Sequence, residues 1–346
     1  MNAQEALCAG WFEAADCRPL GTGHINDTYL VGSVAGSEQK SAARFVLQRV
    51  NRHVFKDPRI VESNVARVVA HIAAQAPGFV PEIIPSRAAQ PGFRDSAGEY
   101  WRLWRFVENA RAYDAVENLA MARAAGAAFG RFQLLLGDLP GAPLEPAIPG
   151  FLELAGYLEH YDQVRDNLAL SSTASAADGS FADFITARRS LASVLATGED
   201  YIHGDCKLNN LLFGGVENAV VCVVDLDTVM RGHWAWDFGD LARSALSNSQ
   251  LNPISVFSAL AEGFLQAGKT RRSVDELVIA PRYVAFMLGV RFLTDHLAGD
   301  KYFKVEHHGA NLERARVQFE LVERFESLDK KLRRAATALV QALPRQ

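Results

Sequence analysis

The chain has 346 residues, 49% of them hydrophobic and 22% charged, with a formal net charge of −4. This is a globular composition, long enough for two lobes, and its slight acidity excludes a broad nucleic-acid-binding surface. No run approaches the roughly 18 apolar residues a membrane span needs, so neither a membrane nor a nucleic acid is an expected partner.

In chain order, the first twenty residues lack the basic start and apolar core of a secretory signal. Cys8, Cys17, Cys206 and Cys222 form no CxxC pair and show no metal-ligand spacing, so reduced thiols in a cytoplasm are expected. Residues 28–34 and 44–50 are β-leaning, with the glycine-rich turn GTGHIND (21–27) before the first. A helix is predicted after Pro58, because Val61, Val65, Val68, Val69 and Ile72 recur at helical spacing. Two short strands follow, the second an aromatic-rich run over 100–107, and a lobe boundary falls near 108–113. Beyond it, 115–136 reads as one long helix, 139–150 as a proline-rich connection and 171–180 as an exposed loop. A buried strand is predicted over 220–226, then amphipathic helices that include 281–297 and 312–343. The layout is α+β: a small β-rich N-terminal lobe over 1–108 and a larger, mainly helical C-terminal lobe over 109–346. No hydrophobic stripe commits the chain to an oligomeric state.

The chemistry concentrates in HGDCKLNNLL (203–212) and VVCVVDLDTV (220–229). Asp205 and Asn210 stand five apart, too irregular for one helix or strand face, so a loop must bring them together. Asp225 and Asp227 close an apolar run, where a carboxylate costs stability unless a cation or hydrogen bonds compensate it. The Asn210 amide oxygen and the Asp225 carboxylate, with Asp227 as an open third, are hard donors of the kind magnesium takes alongside substrate phosphates. Asp205 stays off the metal and accepts a proton. These are the parts of phosphoryl transfer from ATP.

The chain here resembles the aminoglycoside phosphotransferase and choline kinase superfamily, relatives of protein kinases. The signature HGDxxxxN stands as His203-Gly204-Asp205 and Asn210, and the second magnesium motif as Asp225-Leu226. The resemblance implies a bilobal, protein-kinase-like fold with ATP and Mg2+, an N-lobe that covers the nucleotide and a C-lobe that holds the catalytic and acceptor sites. Where protein kinases have DFG this chain has DLD, and an APE-ended activation segment is absent, which argues for a small-molecule substrate rather than a protein.

A kinase needs a covering loop, a phosphate cation and a helix acid to hold that cation. Gly21 and Gly23 supply a loop whose amides can approach phosphate oxygens. The strand FVLQRV (45–50) has no lysine; Arg49 is the best cation, with Gln48 the alternative, and Glu62 on the following helix is its expected partner. Adenine would meet backbone groups near Phe106–Glu108 (Phe106, Glu108).

Several stretches resemble the N-acetylhexosamine 1-kinase branch: GTGHINDTYLV, VLQRVNRHVFKDP, VVDLDTVMRG, WDFGDLAR and RFLTDHLAGDKYFK. Enzymes of that branch phosphorylate the anomeric hydroxyl of N-acetylglucosamine or N-acetylgalactosamine. Sugar recognition needs polar forks and an apolar wall. The forks are His24, Asn26, Asp27, Asp227 and Arg291; the walls are Trp234 and Trp236, which as core residues would be unremarkable. Arg291 has Asp295 four residues on and also reads as half of a helical pair. Asp237 with Asp240 reads as support for the catalytic loop, and Lys207 as a counter-charge or a phosphate contact. Homoserine, choline and aminoglycoside kinases, or a nucleotide-binding pseudokinase scaffold, are the other readings.

Overall fold

The computed structural model describes residues 1–12, 16–21, 25–32, 43–170, 176–195, 198–215, 219–268 and 272–343. They form two compact units. Met1–Arg111, Asp138–Pro149 and Leu211–Val229 make the first; Ala112–Gly137, Gly150–Asn210 and Met230–Gln346 make the second.

In the first unit, a short helix α1 (Ala3–Gly10) precedes strands β1 (Cys17–Pro19), β2 (Asp27–Val31) and β3 (Phe45–Arg49). Helix α2 (Pro58–Gln75) and strands β4 (Ile83–Ile84), β5 (Phe93–Arg94), β6 (Tyr100–Arg105) and β7 (Ala110–Arg111) follow. The antiparallel sheet runs β1-β2-β3-β6-β4, with β5 also on β6. Its registers place Asp27 opposite Arg49 and Gln48 opposite Arg102. Because side chains alternate along a strand, Phe45 and Leu47 pack on one face against Ala6, Leu7 and Trp11 of the α1 segment, leaving Val46 and Gln48 to the other. Helix α1 was not foreseen; a capping box between Asn2 and Glu5 starts it, and its apolar Ala6 and Leu7 close the sheet. Helix α2 starts as expected, with Asp57 accepting from the Arg59 amide and Pro58 at its first position. All five of its predicted core positions, Val61, Val65, Val68, Val69 and Ile72, are buried, each contributing about 1.5–3 kcal/mol relative to exposure.

Two later segments also belong to this unit. The 138–149 connection is tied to α2, where the Arg67 guanidinium donates to the Pro140 and Ala142 carbonyls and Asn64 donates to the Glu145 carbonyl. The hairpin β9 (Leu211–Gly214) and β10 (Ala219–Val223) forms a second sheet with β7, in which β9 is central. Val223 also donates its amide to the Phe79 carbonyl. The buried strand predicted over 220–226 is therefore shorter: only Cys222 and Val223 of β10 are buried. The chain leaves the strand before Asp225, which takes a left-handed conformation, φ 65 and ψ 61.

The second unit contains α3 (Leu119–Leu136), α4 (Leu154–Leu170), α5 (Ala176–Thr186), β8 (Asp200–Ile202), β11 (Met230–Gly232), α6 (Trp234–Ser247), α7 (Pro253–Ala267), α8 (Val274–Leu297) and α9 (Ala310–Ala342). Residues 176–186 are helical, where a loop was expected to run to 180; residues 171–175 lie outside the described residues. Helix α3 begins at 119 rather than 115 because Asn118 caps it, its side chain accepting from the Met121 amide. Helices α3 and α7 approach closely at glycines: a Cβ on Gly126 would stand 2.0 Å from the Leu260 carbonyl oxygen, and one on Gly263 2.0 Å from that of Arg123. Among the described residues one helix, α8, is long and apolar enough to cross a membrane, which corrects the expectation that no run approaches that length. With 72% of its most apolar window buried inside the protein, it has the pattern of a core helix.

Candidate active site

The loop after β8 carries the first half of the motif. His203 is fully buried, its ring edge-on to Phe129 and Phe132 at 5.3 Å each. Gly204 has φ 82, a left-handed conformation that favours glycine. Both amides are held by one carboxylate: Asp237 accepts from His203 N at 2.8 Å and Gly204 N at 2.9 Å, and its Oδ2 also accepts from Gln133 Nε2 at 2.9 Å. Asp237 is 1% exposed, and burial pushes its carboxyl above the usual carboxylate range. The expected support role of Asp237 is thus visible in its bonds, whereas Asp240 pairs with Arg243 at 2.8 Å.

Asp205 follows. Lys207 Nζ lies 2.9 Å from its Oδ2. The Asn210 side-chain nitrogen donates to the Asp205 carbonyl at 2.7 Å and to Oδ2 at 3.1 Å. Burial pushes the Asp205 carboxyl up, but the Lys207 ammonium and the Asn210 hydrogen bond outweigh it, so the group sits below its ordinary value and stays ionised. Because the Asn210 nitrogen is committed to Asp205, its amide oxygen is the atom left to act as a hard ligand. Cys206 beside it is fully buried, and burial with Asp237 pushes its thiol well up, so it is no nucleophile.

The first unit carries the DLD segment. Asp225 is a non-glycine residue in left-handed backbone, a conformation tight sites hold at some strain, and it begins a 3-10 turn over Leu226–Thr228. Asp227, 2% exposed, accepts from Arg102 Nη1 at 2.5 Å and from Asn26 Nδ2 at 2.7 Å. Asn26 is itself held, its oxygen accepting from the Asn51 amide at 3.1 Å. The Arg102 Nε and Nη2 donate to Gln48 Oε1 at 3.1 and 2.9 Å, an oxygen that also accepts from Trp104 Nε1 at 2.7 Å.

The pairing expected of the strand cation does not form. Arg49 bonds Asp27, its cross-strand partner, at 2.5 Å, and stands 5.6 Å from the Trp101 ring. Glu62 is taken by Arg94 at 2.9 Å, so the Arg49–Glu62 pair does not form. The strand period explains it: Arg49 shares the face of Phe45 and Leu47, and the Asp opposite it satisfies the charge. Gln48 holds the other face, where the buried cation is Arg102 from β6. Sequence reasoning missed Arg102, although a charge inside the aromatic run YWRLWR was a signal that something buried neutralises it.

Gly21 has φ 69, in keeping with a turn; Gly23 and His24 lie outside the described residues. The Phe106 amide donates to the Arg44 carbonyl at 3.0 Å, and Arg44 also bonds the exposed Glu108 carboxylate. The Arg44 bond pulls the Glu108 carboxyl below its usual value.

Trp236 and Trp234, expected as sugar walls, are core residues at 3% and 5% exposure. The Trp236 indole donates to the Leu195 carbonyl at 3.0 Å and stacks on Tyr283; the Trp234 indole donates to Glu276 at 3.0 Å. Their large apolar area is spent inside the helical unit. Arg291 is ringed by Tyr157 (4.9 Å), Phe303 (5.3 Å), Phe151 (5.4 Å) and Tyr302 (5.7 Å). Asp295, the expected helical partner, instead accepts from the amides of Lys301, Tyr302 and Phe303 at 2.8–2.9 Å and from Asn311. It thereby shapes the loop that brings two of those rings to Arg291.

The chain matches the profile of the phosphotransferase enzyme family, APH, over residues 16–277. Similar solved structures include a microcompartment-associated aminopropanol kinase, 17% identical, covering 94% of this chain and 97% of its own, with a TM-score of 0.62. An aminoglycoside phosphotransferase from Alicyclobacillus acidocaldarius is 14% identical, with coverage of 98% and 97% and a TM-score of 0.62. An amicoumacin kinase solved with AMP-PNP, Ca2+ and Ami is 15% identical, with coverage of 94% and 95% and a TM-score of 0.61. At these identities the likeness is one of fold, and it agrees with the α+β, kinase-like class expected from the sequence. The profile spans three quarters of the chain and contains every residue of the HGDxxxxN and DLD segments, and the chain therefore belongs to the APH phosphotransferase family.

Proposed function

We propose that this phosphotransferase is an ATP-dependent small-molecule kinase whose acceptor is a sugar hydroxyl, with the anomeric hydroxyl of an N-acetylhexosamine favoured. The observation that carries the kinase chemistry is the Asp205 carboxylate, held ionised beside Lys207 and Asn210 on a loop pinned by Asp237. Asp205 orients the acceptor hydroxyl and takes its proton. An anomeric hydroxyl is more acidic than an ordinary alcohol, so a carboxylate of low pKa suffices as base. Asn210, the residue before β9, and Asp225, two residues after β10, supply the magnesium ligands. The donor set fits: one carboxylate and one amide oxygen, both hard, leave most coordination positions to phosphates and water. Magnesium, when bound, neutralises the charge that develops on the phosphates.

Arg291 supports the sugar acceptor. An amine acceptor is cationic at neutral pH, and a guanidinium at the acceptor site repels it. A neutral sugar instead finds charged donors beside aromatic faces, the pairing that carbohydrate recognition uses. The test is coupled ADP release with ATP and magnesium across N-acetylglucosamine, N-acetylgalactosamine, glucose, galactose, homoserine, choline and kanamycin, with the product phosphate located by phosphorus NMR. An anomeric phosphate on an N-acetylhexosamine is the expected product. Turnover with choline or kanamycin alone would refute the sugar reading, and nucleotide binding without any turnover would favour a scaffold.

A further inference from the structure

We infer that Arg102 is the positioning residue of the magnesium ligand Asp225, acting through Asp227 as a buried tether between β6 and the DLD turn. The inference rests on the kinase reading above, in which Asp225 holds the metal. Three observations carry it. Asp225 stands at φ 65 and ψ 61, a backbone that a non-glycine residue keeps only when its neighbours over-determine it. Two residues on, both Asp227 oxygens are bound, Oδ1 by Arg102 and Oδ2 by Asn26, with the Arg102 and Asp227 side chains 3% and 2% exposed. Arg102 is in turn clamped by Gln48 from the neighbouring strand through two of its donors. The guanidinium thus has no arm committed to solvent, and its charge also acts on Asp225. A buried ion pair is weak evidence for stability; what this one holds in place is the turn presenting Asp225. The Lys-free strand β3 fits the same picture. Gln48, at the position facing Arg102, is neutral and orients the cation rather than supplying one.

The direction of the metal response separates this role from simple charge balance. Arg102→Met leaves Asp227 as an extra negative charge two residues from the ligand. By electrostatics alone that tightens magnesium binding. Loss of position weakens it. The experiment measures magnesium half-saturation of fluorescent-ATP binding and of ADP release, with circular dichroism as the folding control. The proteins are the full-length wild type, Arg102→Lys, Arg102→Met and Arg102→Met/Asp227→Leu. The double variant removes both charges and keeps the test alive where the single variant fails to fold, because a buried pair replaced by apolar groups is tolerated.

The expected result is a rise in half-saturating magnesium of about tenfold or more in Arg102→Met and in the folded double variant. Arg102→Lys, which keeps the charge but loses the Gln48 fork, falls between them and the wild type. Unchanged or tighter magnesium dependence in Arg102→Met, or wild-type dependence in the double variant, overturns the inference while leaving the kinase reading standing. A wild type with no magnesium-dependent nucleotide response overturns both.

Discussion

Removing the Asp237 carboxylate should loosen the loop that carries Asp205. Three donors converge on it, the amides of His203 and Gly204 and the side-chain nitrogen of Gln133, all at 2.8–2.9 Å and all buried. Hydrogen bonds to a charged acceptor contribute about 1.5–3 kcal/mol each, and a buried donor left unpaired costs about 1–3 kcal/mol. The terms do not add, because burial already disfavours the ionised carboxylate, as its raised pKa shows, and deletion relieves that cost. Asp237→Ala should therefore lose about 3–5 kcal/mol, less than the full sum for three buried donors left unpaired at about 1–3 kcal/mol each. Asp237→Asn should lose less, since its one oxygen keeps the two donors now on Oδ2 while its nitrogen faces Gly204 N. Paired urea curves read the stability, and ADP release reads the loop. A displacement of about 1 Å at Asp205 costs on the order of a hundredfold in turnover. An Asp237→Ala protein within about 1 kcal/mol of wild type, with turnover intact, would refute the pinning argument.

Asp205 has a folded pKa below its ordinary value near ~4. Its ionised form therefore adds stability that is fully present above that ordinary value and is lost as pH falls through the lower folded one. Turnover should hold its plateau down to about pH 5, and Lys207→Met should move the acid limb upward; a limb that stays put in the variant argues against Lys207 as the balancing charge. Gly126→Val should destabilise the helical unit by at least the roughly 1–3 kcal/mol of overpacking, since even a Cβ there meets the Leu260 carbonyl at 2.0 Å, and a thermal midpoint equal to wild type would contradict that close approach. Arg291→Leu should raise the KM for the sugar acceptor at least tenfold with the KM for ATP unchanged. Equal shifts in both would place Arg291 outside the acceptor site.

The HGDxxxxN and DLD motifs were legible in the chain because they depend on short spacings. HGDxxxxN and DLD lie within 25 residues of each other, and local order is enough to put forward Asp205, Asn210 and Asp225 as candidates. The α2 core was legible for the same reason: Val61, Val65, Val68, Val69 and Ile72 follow from a 3.6-residue period. Charge partners were not legible. Whether Arg49 meets Glu62 or Asp27 depends on the register of β2 on β3, which pairs residues 22 apart and puts Arg49 on the α1 side of the sheet. Nor does any spacing show that Arg102 reaches Asp227 across 125 positions of chain. Trp234 and Trp236 looked as suitable for a sugar wall as for a core, because size and apolarity serve both; only the Leu195 carbonyl and Glu276 that their indoles bind placed them inside. The sequence by itself thus put forward the candidate groups for the proposed chemistry, since reactive atoms and local periods are written into residue type and spacing. The tertiary structure alone decided which cation answers which carboxylate, because a buried charge selects its partner by strand register and packing.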